Sequence, residues 1–254
     1  MLSEQSRTSF VEQGFTVVPA LFAPAEVAEI GAAFRRLERR ARSFAAPTAV
    51  GDTLFVVEPT AMDRARIERI VWCGGVEPPL ARFGRSPRLL RAVAELLGST
   101  AMDQLINQAH VKSPGDELRF DFHQDSYHRR YGTPLFDDVN GRGSFVQALT
   151  AVDRMTPENG GLWVVPGSHE LGHIATPDGR LPPDSFDAGA ALPLRLEAGD
   201  TLLMGAFTVH GSGPNRSHAA RRLFINGFCW PGANRRAYSG AGTGLRVHAV
   251  ADAA

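Results

Sequence analysis

The chain has 254 residues, 43% hydrophobic and 21% charged, a length that fits one large domain or two small ones around a substantial core. Lys+Arg and Asp+Glu both number 27, so the formal net charge is zero, unlike the basic excess of a dedicated nucleic-acid binder or a polybasic membrane-surface protein. No apolar run long enough for a transmembrane helix, no signal-peptide pattern at the start and only two cysteines, Cys73 and Cys229, point to a cytoplasmic protein without a disulfide framework.

Two helices come first. Over residues 24–43, Val27, Ile30, Phe34 and Leu37 repeat at three and four, leaving Glu26, Arg35, Arg36 and Arg39 largely outside the apolar stripe. Pro24 suits a first helical turn. Over residues 87–97, Ser86 is the expected N-cap, Pro87 the first helical residue and Gly98 the terminator, with Leu89, Leu90, Val93, Leu96 and Leu97 on the buried face. Between them, residues 45–85 hold a strand-like run at 54–57 amid Pro and Gly punctuation. This segment reads either as a lid over a site or as irregular surface.

After residue 100 the texture changes to short apolar or alternating runs separated by Gly, Pro, Asn and Asp. Strands are expected at 104–111, 119–125, 144–152, 161–165, 192–196, 201–204, 207–210 and 222–230. Such spacing predicts a sandwich or barrel. Residues 1–254 therefore read as a single domain, with a helical buttress and possible lid in 1–100 and a β core in 101–250.

The sharpest local feature is the succession Phe122, His123, Gln124, Asp125. On a strand, side chains at i and i+2 share a face, so His123 and Asp125 would project together. That is two-thirds of the two-histidine, one-carboxylate facial triad that suits non-haem Fe(II). The tripeptide alone is common. Farther on, His210 ends an apolar run, where a strand would deliver it into a cavity. A Gly/Pro/Asn-rich turn follows, and Arg221 then opens the next apolar run. A buried arginine needs an anion, and its planar fork matches a carboxylate. Taken singly, His210 reads more readily as a surface turn histidine and Arg221 as one more exposed arginine of an arginine-rich chain; only the combination favours a site. Arg222 is the rival to Arg221, because strand neighbours face opposite ways.

Together these pieces resemble the phytanoyl-CoA dioxygenase family of Fe(II)/2-oxoglutarate oxygenases, which also includes ectoine hydroxylase. The matching residues are Asn107 and Gln108 with Lys112 to Gly115, then His123 to Asp125, Asn159 and Gly160, Pro166 to His169, His210 to Ser212, and Arg221. They keep the family's order across residues 107–221. The resemblance implies a mainly β fold with flanking helices: a double-stranded β-helix, the cupin-like jelly-roll barrel, with N-terminal helices buttressing one sheet. It implies that His123, Asp125 and His210 bind Fe(II) and that Arg221 holds the distal carboxylate of 2-oxoglutarate. By the same resemblance, Ser212 would add a polar contact to that cosubstrate, and Gln108, Lys112 and Leu149 would lie near the cosubstrate and substrate.

Three protein ligands on one octahedral face leave two positions for 2-oxoglutarate and one for O2. Oxidative decarboxylation to succinate and CO2 would then drive hydroxylation, or a related oxidation, of a small-molecule metabolite of natural-product or amino-acid type. Asp125 disfavours halogenation, since related halogenases replace that carboxylate with a small residue. Candidate substrate contacts are Tyr127, His128 and Arg129, just past the metal strand, and Gln147, which alternation turns inward. Trp163 and Cys229 read as core, and His169 as part of a structural turn. His110, His173, His218 and His248 read as surface or satisfied histidines. Two other classes stay open: a zinc-dependent cupin-type hydrolase or isomerase, which leaves Arg221 and Ser212 idle, and a non-catalytic small-molecule-binding barrel. The partner is a small molecule, neither nucleic acid nor membrane, with the chain a monomer or homodimer. The positive charge includes a single lysine, Lys112, the rest being arginine. GC-rich coding accounts for that bias, but not for where the lysine sits.

Overall fold

The computed structural model describes residues 1–59 and 66–249. In the first half the elements run α1 (Glu4–Gln13), β1 (Phe15–Val18), α2 (Pro24–Ala41), β2 (Thr48–Val50), β3 (Thr53–Glu58), β4 (Arg66–Val71), α3 (Pro78–Phe83) and α4 (Pro87–Leu97). The second half holds β5 (Ala101–Lys112), β6 (Phe120–His123), α5 (Asp125–Arg129), β7 (Phe145–Ala151), β8 (Leu162–Val164), β9 (Leu192–Pro193), β10 (Thr201–Gly205), β11 (His210–Ser212), β12 (Arg221–Cys229) and β13 (Leu245–His248).

The expected double-stranded architecture takes the form of two antiparallel sheets. The larger has the order β1, β10, β7, β12, β5, β4, β3, β2, with β13 also on β5, and the smaller the order β6, β11, β8, β9. Residues 48–58 and 66–71 are thus strands that extend the larger sheet through β4 pairing with β5.

The larger sheet is buried on both faces, as its central strand β7 shows. Val146, Ala148 and, just past its end, Val152 enter the core formed with α2 and α4, while Phe145, Leu149 and Ala151 enter a second core facing the smaller sheet. β12 divides likewise, with Phe224 outward and Leu223 and Ile225 inward. The Phe34 ring of α2 meets Phe224 edge to face at 6.3 Å. Helix α2 stops at Ala41, close to its expected end. Helix α4 has the expected bounds, with the Ser86 hydroxyl accepting from the Leu89 amide at 3.4 Å and Gly98 left-handed at φ 77°. Among the described residues no helix is long and apolar enough to cross a membrane.

Two boundary expectations fail locally. The strand carrying His123 ends at that residue, and Asp125 is instead the first residue of α5. His210 opens β11 rather than closing a strand over 207–210. Both histidines still face the same space, because they are cross-strand partners in the β6–β11 pair.

Candidate active site

A cavity of about 440 Å³ lies between the two sheets. Alternation determines what lines it. β5 contributes Ile106, Gln108 and His110, β7 contributes Gln147 and Leu149, and β12 contributes Arg221, Leu223 and Ile225. The smaller sheet supplies His123, Leu162, His210 and Ser212.

His123, Asp125 and His210 each offer a ligand atom, and these atoms lie within 4.8 Å of one another. The His123 Nδ1 is 2.7 Å from the Asp121 carbonyl and the His210 Nδ1 is 3.0 Å from the Thr208 carbonyl. A carbonyl only accepts, so each Nδ1 carries a proton, and in a neutral ring that tautomer presents the Nε2 lone pair, as a metal ligand requires. Asp125 is buried and its Oδ2 has no hydrogen-bond partner within the protein. A buried carboxylate oxygen left unpaired is costly unless a cation meets it. Burial opposes ionisation of Asp125, but the adjoining His210 ring and Arg129 guanidinium outweigh it and hold the carboxyl below the usual range. Burial also pushes the His210 imidazole down to about 4, leaving it neutral near pH 7. Two imidazoles and one carboxylate gathered at one place, with the rest of the cavity open, fit a divalent transition metal.

The stretches around these ligands are held by residues whose part is mechanical. Gln124 is fully buried, donates from Nε2 to the Gly172 and Phe207 carbonyls, and accepts from the Ile174 amide. It fixes the turn between His123 and Asp125. The Ser168 hydroxyl donates to the Val165 carbonyl and accepts from the Val209 amide at 2.8 Å, tying the Pro166 to His169 turn to the residue before His210. His169 reaches the Val11 carbonyl at 2.9 Å, a structural contact as expected.

Arg221 sits at the other end of the cavity, 2% exposed. Its Nη2 donates to the Gly160 carbonyl at 3.0 Å, while Nε and Nη1 have no partner. Burial pushes the guanidinium down to about 10, so it stays charged at neutral pH. Gly160 is left-handed at φ 79°, and a Cβ there would come within 2.8 Å of Lys112 Cδ. The Asn159 side chain accepts from the Thr156 amide and donates to the Arg154 carbonyl, which shapes this turn. Arg222 points the other way, to Glu38 at 2.6 Å and Asp153 at 3.1 Å. Arg221, and not its neighbour, therefore brings unpartnered donors to the cavity wall.

Of the residues singled out in sequence, His128, Arg129, Gln147, Leu149, Gln108 and Ser212 all line the cavity. Lys112 and Tyr127 do not. Lys112 lies on the same face of β5 as Gln108 and His110, but its Nζ donates to the Ser212 hydroxyl at 2.8 Å and the Gly213 carbonyl at 2.6 Å. Burial and the nearby Arg221 push its amine down to about 7. Tyr127 packs against Gly179 outside the cavity. Sequence reasoning missed His110, read as surface or satisfied although its i, i+2 spacing from Gln108 signalled a shared face. It also missed Arg69 of β4 and the segment Arg236 to Ser239, which wall the same cavity.

The chain is 30% identical over 146 residues to the dioxygenase cdmD of Talaromyces verruculosus, covering 54% of this chain and 43% of that protein. It is 33% identical over 124 residues to the dioxygenase aneA of Aspergillus aculeatus, covering 48% and 39% respectively. The matches thus span less than half the length of these curated relatives. A solved structure of the epimerase SnoN in complex with Fe3+, alpha ketoglutarate and nogalamycin RO superposes with TM-score 0.69 at 20% identity, over 95% of this chain and 94% of that one. That likeness establishes the fold. The model of the phytanoyl-CoA dioxygenase family matches residues 10–223, and on that extent the chain belongs to the phytanoyl-CoA dioxygenase (PhyH) family.

Proposed function

We propose that the chain is an Fe(II)- and 2-oxoglutarate-dependent oxygenase that hydroxylates, or otherwise oxidises, a small-molecule metabolite. The observation that carries this reading is the pairing, in one cavity, of a His123, Asp125 and His210 donor cluster with a buried, partly unsatisfied Arg221. In the overall reaction 2-oxoglutarate, O2 and a substrate C–H give succinate, CO2 and an alcohol. Bound iron supplies the O2-activating centre for that oxidation. The two histidines and Asp125 would hold the metal and leave coordination positions open to small ligands. Arg221 fixes the distal carboxylate of 2-oxoglutarate, and Ser212, itself held by Lys112, offers that end a second polar contact. Leu149, Leu223 and Ile225 keep water from the middle of the cavity. A zinc hydrolase would leave Arg221 without an anion.

Anaerobic addition of Fe(II) and 2-oxoglutarate should give a weak visible charge-transfer band, lost in His210→Ala. Arg221→Leu removes one partner of a buried charge pair, worth at least about 2 kcal/mol, so the 2-oxoglutarate Kd should rise about 30-fold or more. Retention of the band in His210→Ala, or an unchanged Kd in Arg221→Leu, would sink the assignment. Succinate release screened over amino acids and natural-product intermediates would identify the substrate.

A further inference from the structure

We infer that the molecule oxidised in this cavity carries a carboxylate, and that Arg129 of α5 receives it; the inference rests on the oxygenase reading above. Arg129 is 6% exposed and lines the cavity beside Asp125. Its guanidinium lies 5.1 Å from the Phe145 ring and 4.9 Å from the Tyr238 ring, so two aromatic faces cover it. Its Nε and Nη1 have no hydrogen-bond partner, and no carboxylate among the described residues forms an ion pair with it. A guanidinium withdrawn from water in this way needs an anion, and cation–π contacts alone do not replace hydrogen bonds to its donors.

Nothing already assigned to the cavity supplies that anion. The charges of Fe(II), Asp125, the 2-oxoglutarate dianion and Arg221 cancel, and ligating imidazoles are neutral. The other cationic wall residues are accounted for. Arg69 is paired with Glu68. Arg236 is half-buried, remains partly hydrated and donates to the His128 carbonyl at 2.9 Å. Asp125 is the one acidic residue among the described lining residues. Arg129 is left as one uncompensated positive charge, which a monoanionic planar group matches better than a phosphate dianion. The substrate would then be held by its carboxylate at α5, with the carbon to be oxidised directed toward His123 and His210.

The test uses the protein loaded with Mn(II) and saturating 2-oxoglutarate, so that no turnover occurs. Calorimetric titration with benzoate, hexanoate, phenyl phosphate and the matched neutral amides, benzamide and hexanamide, reads the anion preference. The wild type should bind at least one carboxylate about tenfold or more tighter than its amide, a charge-assisted difference. Arg129→Gln should erase that ratio while the protein still binds 2-oxoglutarate, and Arg129→Lys should keep part of it. Equal or absent binding of acid and amide, tighter binding of the phosphate, or a preference that survives Arg129→Gln would overturn the inference. Should Arg129→Gln fail to fold, the wild-type ratio and the Arg129→Lys ratio decide the matter. Failure of the wild type to bind 2-oxoglutarate would overturn the cosubstrate assignment together with this one. Intact 2-oxoglutarate binding without anion preference would overturn only the role of Arg129.

Discussion

His110 faces the cavity with its Nε2 3.1 Å from the Gln108 amide oxygen. Burial pushes its imidazole down to about 3, and the positive charges of Arg221, Arg69 and Lys112 act in the same direction. In the unfolded chain the same group titrates near 6.5. Between these values the unfolded chain binds a proton that the folded chain refuses, so acid favours unfolding. Stability from this residue is fully present above about pH 6.5 and falls as pH drops toward 3, with a limiting slope of about 1.4 kcal/mol per pH unit. His128 and His210 are pushed the same way, so removing one residue should flatten the acid limb without abolishing it. Melting of metal-free His110→Gln from pH 7 to 4.5 should therefore fall less steeply than wild type. Parallel curves would exclude His110 from the acid response.

At the scale of elements, the candidate metal-binding cluster depends on how closely β6 and β11 approach. His123 and His210 are cross-strand partners with ring centroids 4.3 Å apart. Gly211, the next residue on β11, permits that approach, since a Cβ there would meet the Phe120 carbonyl oxygen at 2.9 Å and the Phe122 amide at 3.2 Å. Gly211→Ala should push β6 away and spread the two imidazoles, lowering Mn(II) affinity by about tenfold, the scale on which displaced metal-site support acts. Metal titration that matches wild type would show that the strand pair absorbs the extra methyl.

The same elements show what the sequence made legible. Helices α2 and α4 and the long strands β5, β7 and β12 have strong apolar periodicity, and their bounds came out near expectation. Helix α1 has no buried residue and hence no stripe to recognise, although Ser3 accepts from the Ser6 amide at 3.0 Å and Gly14 ends it left-handed. Helix α3 begins with two prolines, which read as turn punctuation. β4 and β13 carry arginines at positions that a core strand would fill with apolar residues. At the site, His123, Asp125, His210 and Arg221 were singled out through motif order, and the fold brings all four to one cavity. Arg69 and the Arg236 to Ser239 segment were not, because only the folded sheet brings them to the cavity.

For the whole molecule, the cavity joins both sheets, so filling it should stabilise everything that packs around them. A ligand at a hundred times its Kd adds about 2.7 kcal/mol to the folded state. For a chain of this length each kcal/mol is worth roughly 2–4 °C, so Mn(II) with 2-oxoglutarate should raise the melting temperature by roughly 5–10 °C. The rise should vanish with a chelator and in His210→Ala. A rise that persists in either case would place binding elsewhere.

The lone lysine has a use outside chemistry at the site. Lys112 is 1% exposed, with its amine tied to Ser212 and Gly213 where the two sheets meet. A protease that cuts only after lysine has one target in the entire chain, and that target is sealed while the sheets stay together. Cleavage at that one bond would report separation of the two sheets, counted molecule by molecule as a pair of fragments, with no label attached and no residue changed.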